Sequence, residues 1–202
     1  SSYNTDTLEN FTGMFRYSAI TKTIDESDTS ILSNITKVKM YKFITPTLNN
    51  GTKYTLSFNN AFFNPHSGHN SAAGGVVSST GFKIFGDDTN EHFLDDDGAG
   101  NIRVYYLSGT TRIYTDSTYG TIDYTNGEII LTSANITSIS NIDGAASARV
   151  RVTVSPDSND IVPVRNQVLS IDTANSNVSG GIDEIESGSS QAGTGYTTTS
   201  SY

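Results

Sequence analysis

The sequence has no cysteine among its 202 residues, which excludes disulfide bonds and thiolate zinc sites. It has no tryptophan either, so the side chain with the largest face for stacking on a sugar is missing. Its apolar runs stay well short of the roughly 18 consecutive residues that a membrane-spanning helix needs. We therefore expect no membrane span, and a fold held by packing and hydrogen bonds.

Charged residues are also sparse, at 16% of the chain, and acidic side chains outnumber basic ones by 21 to 12. The formal net charge is −9, and the densest basic run is Lys37, Lys39 and Lys42, with apolar residues between them. Nucleic-acid binding requires clustered cations that displace the counterions of the phosphates. The composition therefore excludes a nucleic-acid partner.

Tyrosine, phenylalanine and glycine are frequent, with 11, 9 and 18 copies. Tyr and Thr suit a half-buried pleated surface, and Gly and Asn suit the turns between strands. Together with alternating apolar positions, this composition predicts a mainly β fold of antiparallel, sandwich-like sheets with one short helix. The predicted strands are 11–20, 37–45, 53–60, 81–86, 101–108, 112–115 and 148–155, with a long polar loop over 64–80.

The predicted helix covers residues 25–36, and Ser27 or Asp28 is its expected cap. The apolar residues of its shared face are Ile31, Leu32 and Ile35.

The clearest hairpin covers residues 121–131 and turns at Asn126-Gly127. In a two-residue turn this pair accepts positive φ at both central positions, which matches the twist of the flanking strands. We therefore expect both residues to have positive φ.

The composition changes after Ile171. Residues 173–202 are rich in Ser, Gly and Thr, and they have too few apolar side chains to offset their ordering entropy by burial. We expect a β-rich structural region over 1–172, with a division into two small subdomains near 87–100 left open. Residues 173–202 are expected to form a flexible tail or assembly arm. The absence of an initiator methionine predicts a fragment or a processed chain.

One acidic turn has the residue types of a calcium loop. Asp95, Asp97 and Asn101 lie around glycines as calcium ligands do, but Ala99 and Tyr106 occupy positions that require an oxygen ligand. A plain Asp-Gly hairpin turn is the favoured interpretation, with weak calcium binding as the alternative.

His66 and His69 have the H-x-x-H spacing of a metal site, but they lie in a Gly-rich loop and not on a helix. Exposed loop histidines are the favoured interpretation. We expect no catalytic residue, no metal and no cofactor.

The segment 155–172 leaves the Val-rich strand through a polar turn and continues through an extended, proline-containing stretch into another apolar strand. Arg165, Asn166 and Gln167 lie between its two apolar parts and have many donors and acceptors. They fit two hypotheses: a strand connection whose polar groups satisfy local backbone, or an assembly surface on which Arg165 meets a carboxylate.

Two runs of the sequence resemble a known protein family. They are GTIDYTNGEI over 120–129 and SPDSNDIVPVRNQVL over 155–169. Both look like the C-terminal part of the baseplate wedge protein that forms the inner ring in T-even-like contractile-tailed phages. Residues 28–46, Phe58-Asn59-Asn60 and the tail ending at 196–202 are similar to the marine cyanophage versions, to which the chain is most similar.

The resemblance implies a scaffold without enzymatic activity in the tail baseplate of the virion. It implies a homodimer within a ring and contacts with neighbouring baseplate wedge proteins. It also makes a set of four polar residues our candidates for fold or interface contacts: Asp160, Arg165, Asn166 and Gln167.

Two other functions remain open from the residues alone. A carbohydrate- or receptor-binding tail module would use tyrosine faces, and Tyr105 and Tyr106 are the positions that test it. A polysaccharide hydrolase would need a pair of carboxylates, and no pair stands out in the sequence.

Overall fold

The computed structural model describes residues 8–9, 13–69, 75–163 and 168–179. Its regular elements in chain order are α1 (Tyr17–Asp25), β1 (Met40–Ile44), β2 (Thr52–Ser57), β3 (Val77–Ser79), β4 (Phe82–Ile84), β5 (Asp87–Asp96), β6 (Asn101–Ser108), β7 (Thr111–Asp123), β8 (Glu128–Ala134), β9 (Ile136–Ile139) and β10 (Val150–Val154). The chain divides into two compact units, Ser1–Leu169 and Ser170–Tyr202, and these elements all lie in the first. Within the described ranges, no helix is both long enough and apolar enough to cross a membrane.

The strands form two antiparallel sheets. A three-stranded sheet has the order β1-β10-β3, and a seven-stranded sheet has the order β2-β8-β7-β6-β5-β4-β9. One of the two is curled into a half-barrel. The predicted mainly β, antiparallel fold with a short helix is confirmed.

Alternate residues of both sheets meet in one apolar core. In β10, Val150, Val152 and Val154 are buried, while the arginine and threonine between them are partly exposed. Leu94 and Ile102 are among the buried residues of the larger sheet. Burying an aliphatic side chain of this size stabilises a fold by about 1.5–3 kcal/mol. The half-buried strand predicted from the Val-rich alternation is therefore confirmed as β10.

The helix lies earlier in the chain than the sequence predicts. Residues Tyr17–Asp25 form α1, so the predicted strand over 11–20 is wrong, although Phe15 makes an isolated β-bridge. The hydroxyls of Thr21 and Thr23 donate to carbonyls one turn back, at 3.0 and 2.9 Å. Such local bonds satisfy side chains that otherwise favour strands.

Residues 25–36 form no helix beyond the end of α1, and that prediction is wrong. Asp28 does cap a turn: its carboxylate accepts a hydrogen bond from the backbone N–H of Ser30 at 2.8 Å, which lowers the pKa of Asp28. The turn is not continued, and Leu32 and Ile35 are 86% and 92% exposed. A helix here would gain little because its apolar face has no surface to pack against.

Most of the predicted strands are confirmed, with bounds that shift by a few residues. They are β1, β2, β4, β6, the first part of β7, and β10. The sequence does not predict β9, nor β3 inside the polar loop 64–80, nor β5 with its acidic ends. β5 runs unbroken through residues 87–96, with β4 on one side and β6 on the other. The acidic residues at its ends do not suggest a buried strand. Asp95 and Asp96 are buried because they bind partners that are distant in sequence.

The predicted hairpin over 121–131 is present, but its loop is longer than a two-residue turn. Asp123 pairs with Glu128, and four residues lie between them. Gly127 has φ 65, but Asn126 is not among the residues with positive φ, so that expectation is wrong. The Asp123 carboxylate explains the difference, because it accepts backbone hydrogen bonds within the loop, including one from Asn126 at 2.9 Å.

Candidate functional site

The segment that follows β10 returns to the N-terminal part of the chain. Phe15 and Ile161 form an antiparallel bridge, in which each backbone N–H donates to the carbonyl of the other residue at 3.0 Å. Ile161 is 4% exposed, so its side chain is anchored in the interior. The bridge joins the residues just before α1 to the segment that follows β10.

Asp160 makes the next contact along this segment. Its Oδ1 atom accepts a hydrogen bond from the backbone N–H of Tyr17, the first residue of α1, at 2.7 Å. The N-cap residue Arg16 makes no side-chain cap of its own. A carboxylate at this position satisfies a free N–H group and interacts favourably with the helix dipole.

A third contact involves the side-chain amide of Asn60. Its Nδ2 donates to the carbonyl of Val162 at 3.0 Å, and its Oδ1 accepts from the backbone N–H of Val162 at 3.2 Å. The amide group therefore pairs with Val162 as a neighbouring strand would. We call the contacts among Phe15–Tyr17, Asn60 and Asp160–Val162 the junction.

The structure places one of the four predicted site residues. Asp160 lies in the junction and binds its own chain. Arg165, Asn166 and Gln167 lie outside the described residues. The apolar strand expected in the later part of 155–172 is not seen where the chain is described, since 168–171 have no regular structure. The backbone of Val162 is instead satisfied by a side chain.

Next to the junction, the surface has an open depression of about 220 Å³. Its lining residues are Ala61, Phe62, Asn64, Tyr124, Thr125 and Asp157.

The segment after α1 holds two apolar side chains in solvent. Asn34 donates to the carboxylate of Asp25 at 2.6 Å, and the Tyr17 hydroxyl donates to the carbonyl of Thr36 at 3.2 Å. These bonds fix the segment to the helix. Leu32 and Ile35, on either side of Asn34, nevertheless remain almost fully exposed. Ordered, exposed apolar residues are a feature of surfaces that contact a partner.

A charged network lies on the sheet face opposite the core. Asp95 is 1% exposed, and Arg103 donates to its two oxygens from Nε and Nη2 at 2.9 and 3.1 Å. Nη1 of Arg112 and the hydroxyl of Tyr114 donate to Oδ2 at 2.7 and 2.8 Å. We call Asp95, Arg103, Tyr105, Arg112 and Tyr114 the Asp95 network.

Aromatic rings complete the Asp95 network. The guanidinium of Arg103 lies 4.3 Å from the ring centre of Tyr114, and that of Arg112 lies 4.4 Å from the ring centre of Tyr105. These are favourable cation–π distances. Burial and the bond to Asp95 raise the pKa of Tyr114. The network contains two arginines and one carboxylate, and the neighbouring carboxylate of Asp97 also interacts with Arg103.

The sequence contains a signal for this network that composition alone does not show. The turn between β5 and β6 places Asp95 directly opposite Arg103 in the ladder. The plain Asp-Gly turn is confirmed: Asp97 accepts from the backbone N–H of Asn101 at 2.9 Å, and Gly98 has φ 72. Asp95 is thus bound by arginines and Asp97 by its own turn. No group of three or more metal-ligating side chains lies within the described ranges.

Asp96 points to the core side of the same strand. It is fully buried and accepts hydrogen bonds from the backbone N–H of Val77 and from the Tyr124 hydroxyl, both at 2.8 Å. Burial raises the pKa of Asp96 despite these bonds. Asp96 therefore links β3, β5 and the β7–β8 loop.

The two loop histidines lie close together. Nδ1 of His69 is 3.2 Å from Nε2 of His66, and both residues are exposed. Their rings are nearly perpendicular, and Phe63 packs against His69. The contact fits a hydrogen bond in which one ring nitrogen donates and the other accepts.

The ring of one candidate sugar-binding tyrosine is covered, and the ring of the other is half-buried. Tyr105 is 8% exposed and is covered by Arg112. Tyr106 is half-buried and makes an edge contact with His92.

Residues 1–43 match the family model described as baseplate structural protein gp6, C-terminal domain III. The match covers 43 of the 202 residues and includes α1, Leu32, Ile35 and the N-terminal half of the junction. No curated protein and no solved structure matches the chain. The match supports a phage baseplate structural role and places the chain in the tail baseplate of the virion. Because that family is structural, it suggests that the chain is not an enzyme.

Proposed function

We propose that this chain is a scaffold subunit of the baseplate wedge, with the matched segment as its principal contact with other baseplate proteins. One observation carries the proposal. The matched segment is tied to the β structure at the junction, yet it leaves Leu32 and Ile35 exposed. A scaffold needs this combination, because a contact can transmit force only if its anchor is rigid.

The finer parts of the proposal rest on the sequence resemblance. They are a T-even-like inner-ring protein closest to the cyanophage versions, a homodimer within the ring, and contacts with neighbouring wedge proteins. Residues 1–172 would be the structural region, and 173–202 an arm that reaches a neighbouring subunit. Arg165, Asn166 and Gln167 remain candidate contact residues in this scheme.

Site-specific crosslinking in assembled tails tests the proposal. A photoreactive amino acid replaces Leu32 or Ile35 in the full chain, and Leu48 serves as the control because it is 47% exposed and lies outside the matched residues. We expect crosslinks from positions 32 and 35 to another baseplate chain, and few from position 48.

Two results would contradict the proposal. One is the absence of the chain from purified tails. The other is an equal, low yield of crosslinks from all three positions. Identification of the crosslinked chain by mass spectrometry then tests the finer statement, since a second copy supports the homodimer and a different chain supports a wedge neighbour.

A further inference from the structure

The hairpin of β6 and β7 has an open backbone edge. β6 pairs with β7 over residues 111–121, but β8 pairs only with residues 120–123. In the described part of the chain, residues 111–115 therefore have no strand on the side away from β6. We call residues 111–115 the hairpin edge. Such an edge presents unpaired N–H and C=O groups on which another strand can form.

The side chains at the hairpin edge have two distinct faces. Arg112 pairs with Leu107 and shares its face, while Ile113 pairs with Tyr106 on the other. Leu107 and Ile113 are 50% and 38% exposed. One face thus combines an apolar residue with a cation, and the other presents Ile113 beside Thr111.

Charge favours an acidic partner at this edge. Arg112 lies on the edge itself, and Asp95, the carboxylate to which it is bonded, is shared with Arg103. The next acid along β7, Asp116, already accepts the backbone N–H of Thr118 at 2.7 Å. Complementary charge steers association and fixes the register of a contact.

One segment of the chain has the matching chemistry. Every charged side chain of residues 173–202 lies within Ile182-Asp183-Glu184-Ile185-Glu186, amid a sequence of mostly Ser, Gly and Thr. In a strand, Glu184 and Glu186 would point to one face and Ile185 to the other. We call residues 182–186 the acidic segment.

We propose that the hairpin edge binds the acidic segment of a second copy of this chain as an added strand. With Ile185 opposite Ile113, either strand direction puts a glutamate opposite Arg112. Backbone hydrogen bonds supply affinity in such strand addition, and alternate side chains supply specificity. The second copy is the expected donor because the scaffold role proposed above, on which this inference rests, requires contacts between chains.

Sedimentation velocity of the full chain over a concentration series tests the inference. The wild type should self-associate, and the double change Glu184→Arg and Glu186→Arg should weaken association roughly ten-fold or more. Ile113→Ser should weaken it too, and this change leaves the bonds to Asp95 in place. A control chain with Asp88→Arg and Asp157→Arg has the same change in net charge at exposed acids outside the matched segment and the hairpin edge, and it should associate as the wild type does.

Mixing the two weakened variants separates lost binding from misfolding. The intact edge of the Glu184/Glu186 variant can meet the intact acidic segment of the Ile113 variant. The mixture should therefore associate more tightly than either variant does alone. Circular dichroism should show the wild-type fold in both.

Three results would overturn the inference: a monomeric wild type at every concentration, association that neither variant weakens, or variants that fail to complement each other when mixed. If the acidic segment instead binds the hairpin edge of the same molecule, the wild type stays monomeric at every concentration, which is the first of these results. The scaffold proposal is judged separately, because crosslinks from positions 32 and 35 in assembled tails do not depend on the hairpin edge.

Discussion

The carboxylate of Asp160 closes the first turn of a helix that begins 143 residues earlier, by accepting the backbone N–H of Tyr17. Helices usually obtain this bond from a Ser, Thr, Asp or Asn at their own N-cap, but Arg16 holds that position. Helix α1 has no fully buried residue, so packing contributes less to it than to most helices. Its stability therefore depends on a distant side chain.

Asp160→Ala should lower the free energy of unfolding by about 1 kcal/mol, the usual cost of losing a cap. Asp160→Asn should retain most of the stability because it keeps an acceptor oxygen. Urea denaturation measures both changes. Asp157→Ala is the matched control, since Asp157 lies three residues away and, within the described residues, its side chain makes no hydrogen bond while its backbone N–H donates to the carbonyl of Ala61. Equal losses at 157 and 160 would refute the cap.

The two glycines at the ends of neighbouring hairpins should respond very differently to a methyl group. Gly127 and Gly109 have almost the same φ, 65 and 63. A Cβ at Gly127 would overlap the carbonyl oxygen of Asn60, whereas a Cβ at Gly109 would meet nothing within 4 Å.

Gly109→Ala should therefore lower the free energy of unfolding by only about 1–2 kcal/mol, because alanine is strained in the left-handed conformation. Gly127→Ala should lower the free energy of unfolding by several kcal/mol more, since the backbone at Asn60 must move to make room for the methyl group. Thermal unfolding of the two variants provides the comparison. Similar melting temperatures would mean that the loop does not pack against Asn60 as the structure shows.

Alternation of side chains was sufficient to predict most of the strands, but not β3, β5 or β9. The Val150, Val152 and Val154 pattern places one face in the core, and two-residue periodicity carries that information locally. The sequence also predicts the Asp-Gly turn correctly, because Asp97 satisfies the turn with its own side chain. Both features depend on residues within one or two strands.

The features that could not be predicted depend on distant partners. Helix α1 needs Asp160, and β5 needs Arg112 and Tyr124 to satisfy its buried carboxylates. The family resemblance makes Asp160 a candidate fold or interface residue, but its contact with the helix does not follow from the sequence. The network around Asp95 required the register of β5 against β6, which follows only once both strands are known.

Tyr124→Phe should destabilise the fold by about 1–3 kcal/mol, because Oδ2 of the buried Asp96 would lose its hydrogen-bond donor. Tyr106→Phe is the control: Tyr106 is also half-buried and makes a ring contact, but its hydroxyl has no hydrogen bond within the described residues. Chemical denaturation should separate the two variants. Equal stability would mean that water replaces the tyrosine hydroxyl at Asp96.

His92 is a fully buried side chain in the middle of β5. Neither ring nitrogen has a hydrogen-bond partner within the described structure, although Oδ2 of Asp87 lies 3.5 Å from Nε2. Burial lowers the pKa of His92 from its ordinary value of 6.5, and the opposing effects of Asp87 and the Asn90 backbone are smaller. The folded chain therefore holds this imidazole in its neutral form.

Stability should fall as the pH drops below about 6.5, because the unfolded chain then binds a proton that folded His92 resists. The slope contributed by one such group approaches about 1.4 kcal/mol per pH unit. His92→Phe removes this contribution and leaves that of Asp96 unchanged. Because the pKa of Asp96 is raised in the folded chain, its contribution to stability decreases as the pH rises, which is opposite to that of His92. Denaturation of both proteins between about pH 5 and 7.5 should show a steeper loss of stability in the wild type as the pH falls. Parallel curves for wild type and His92→Phe would show that His92 does not resist protonation in the folded state.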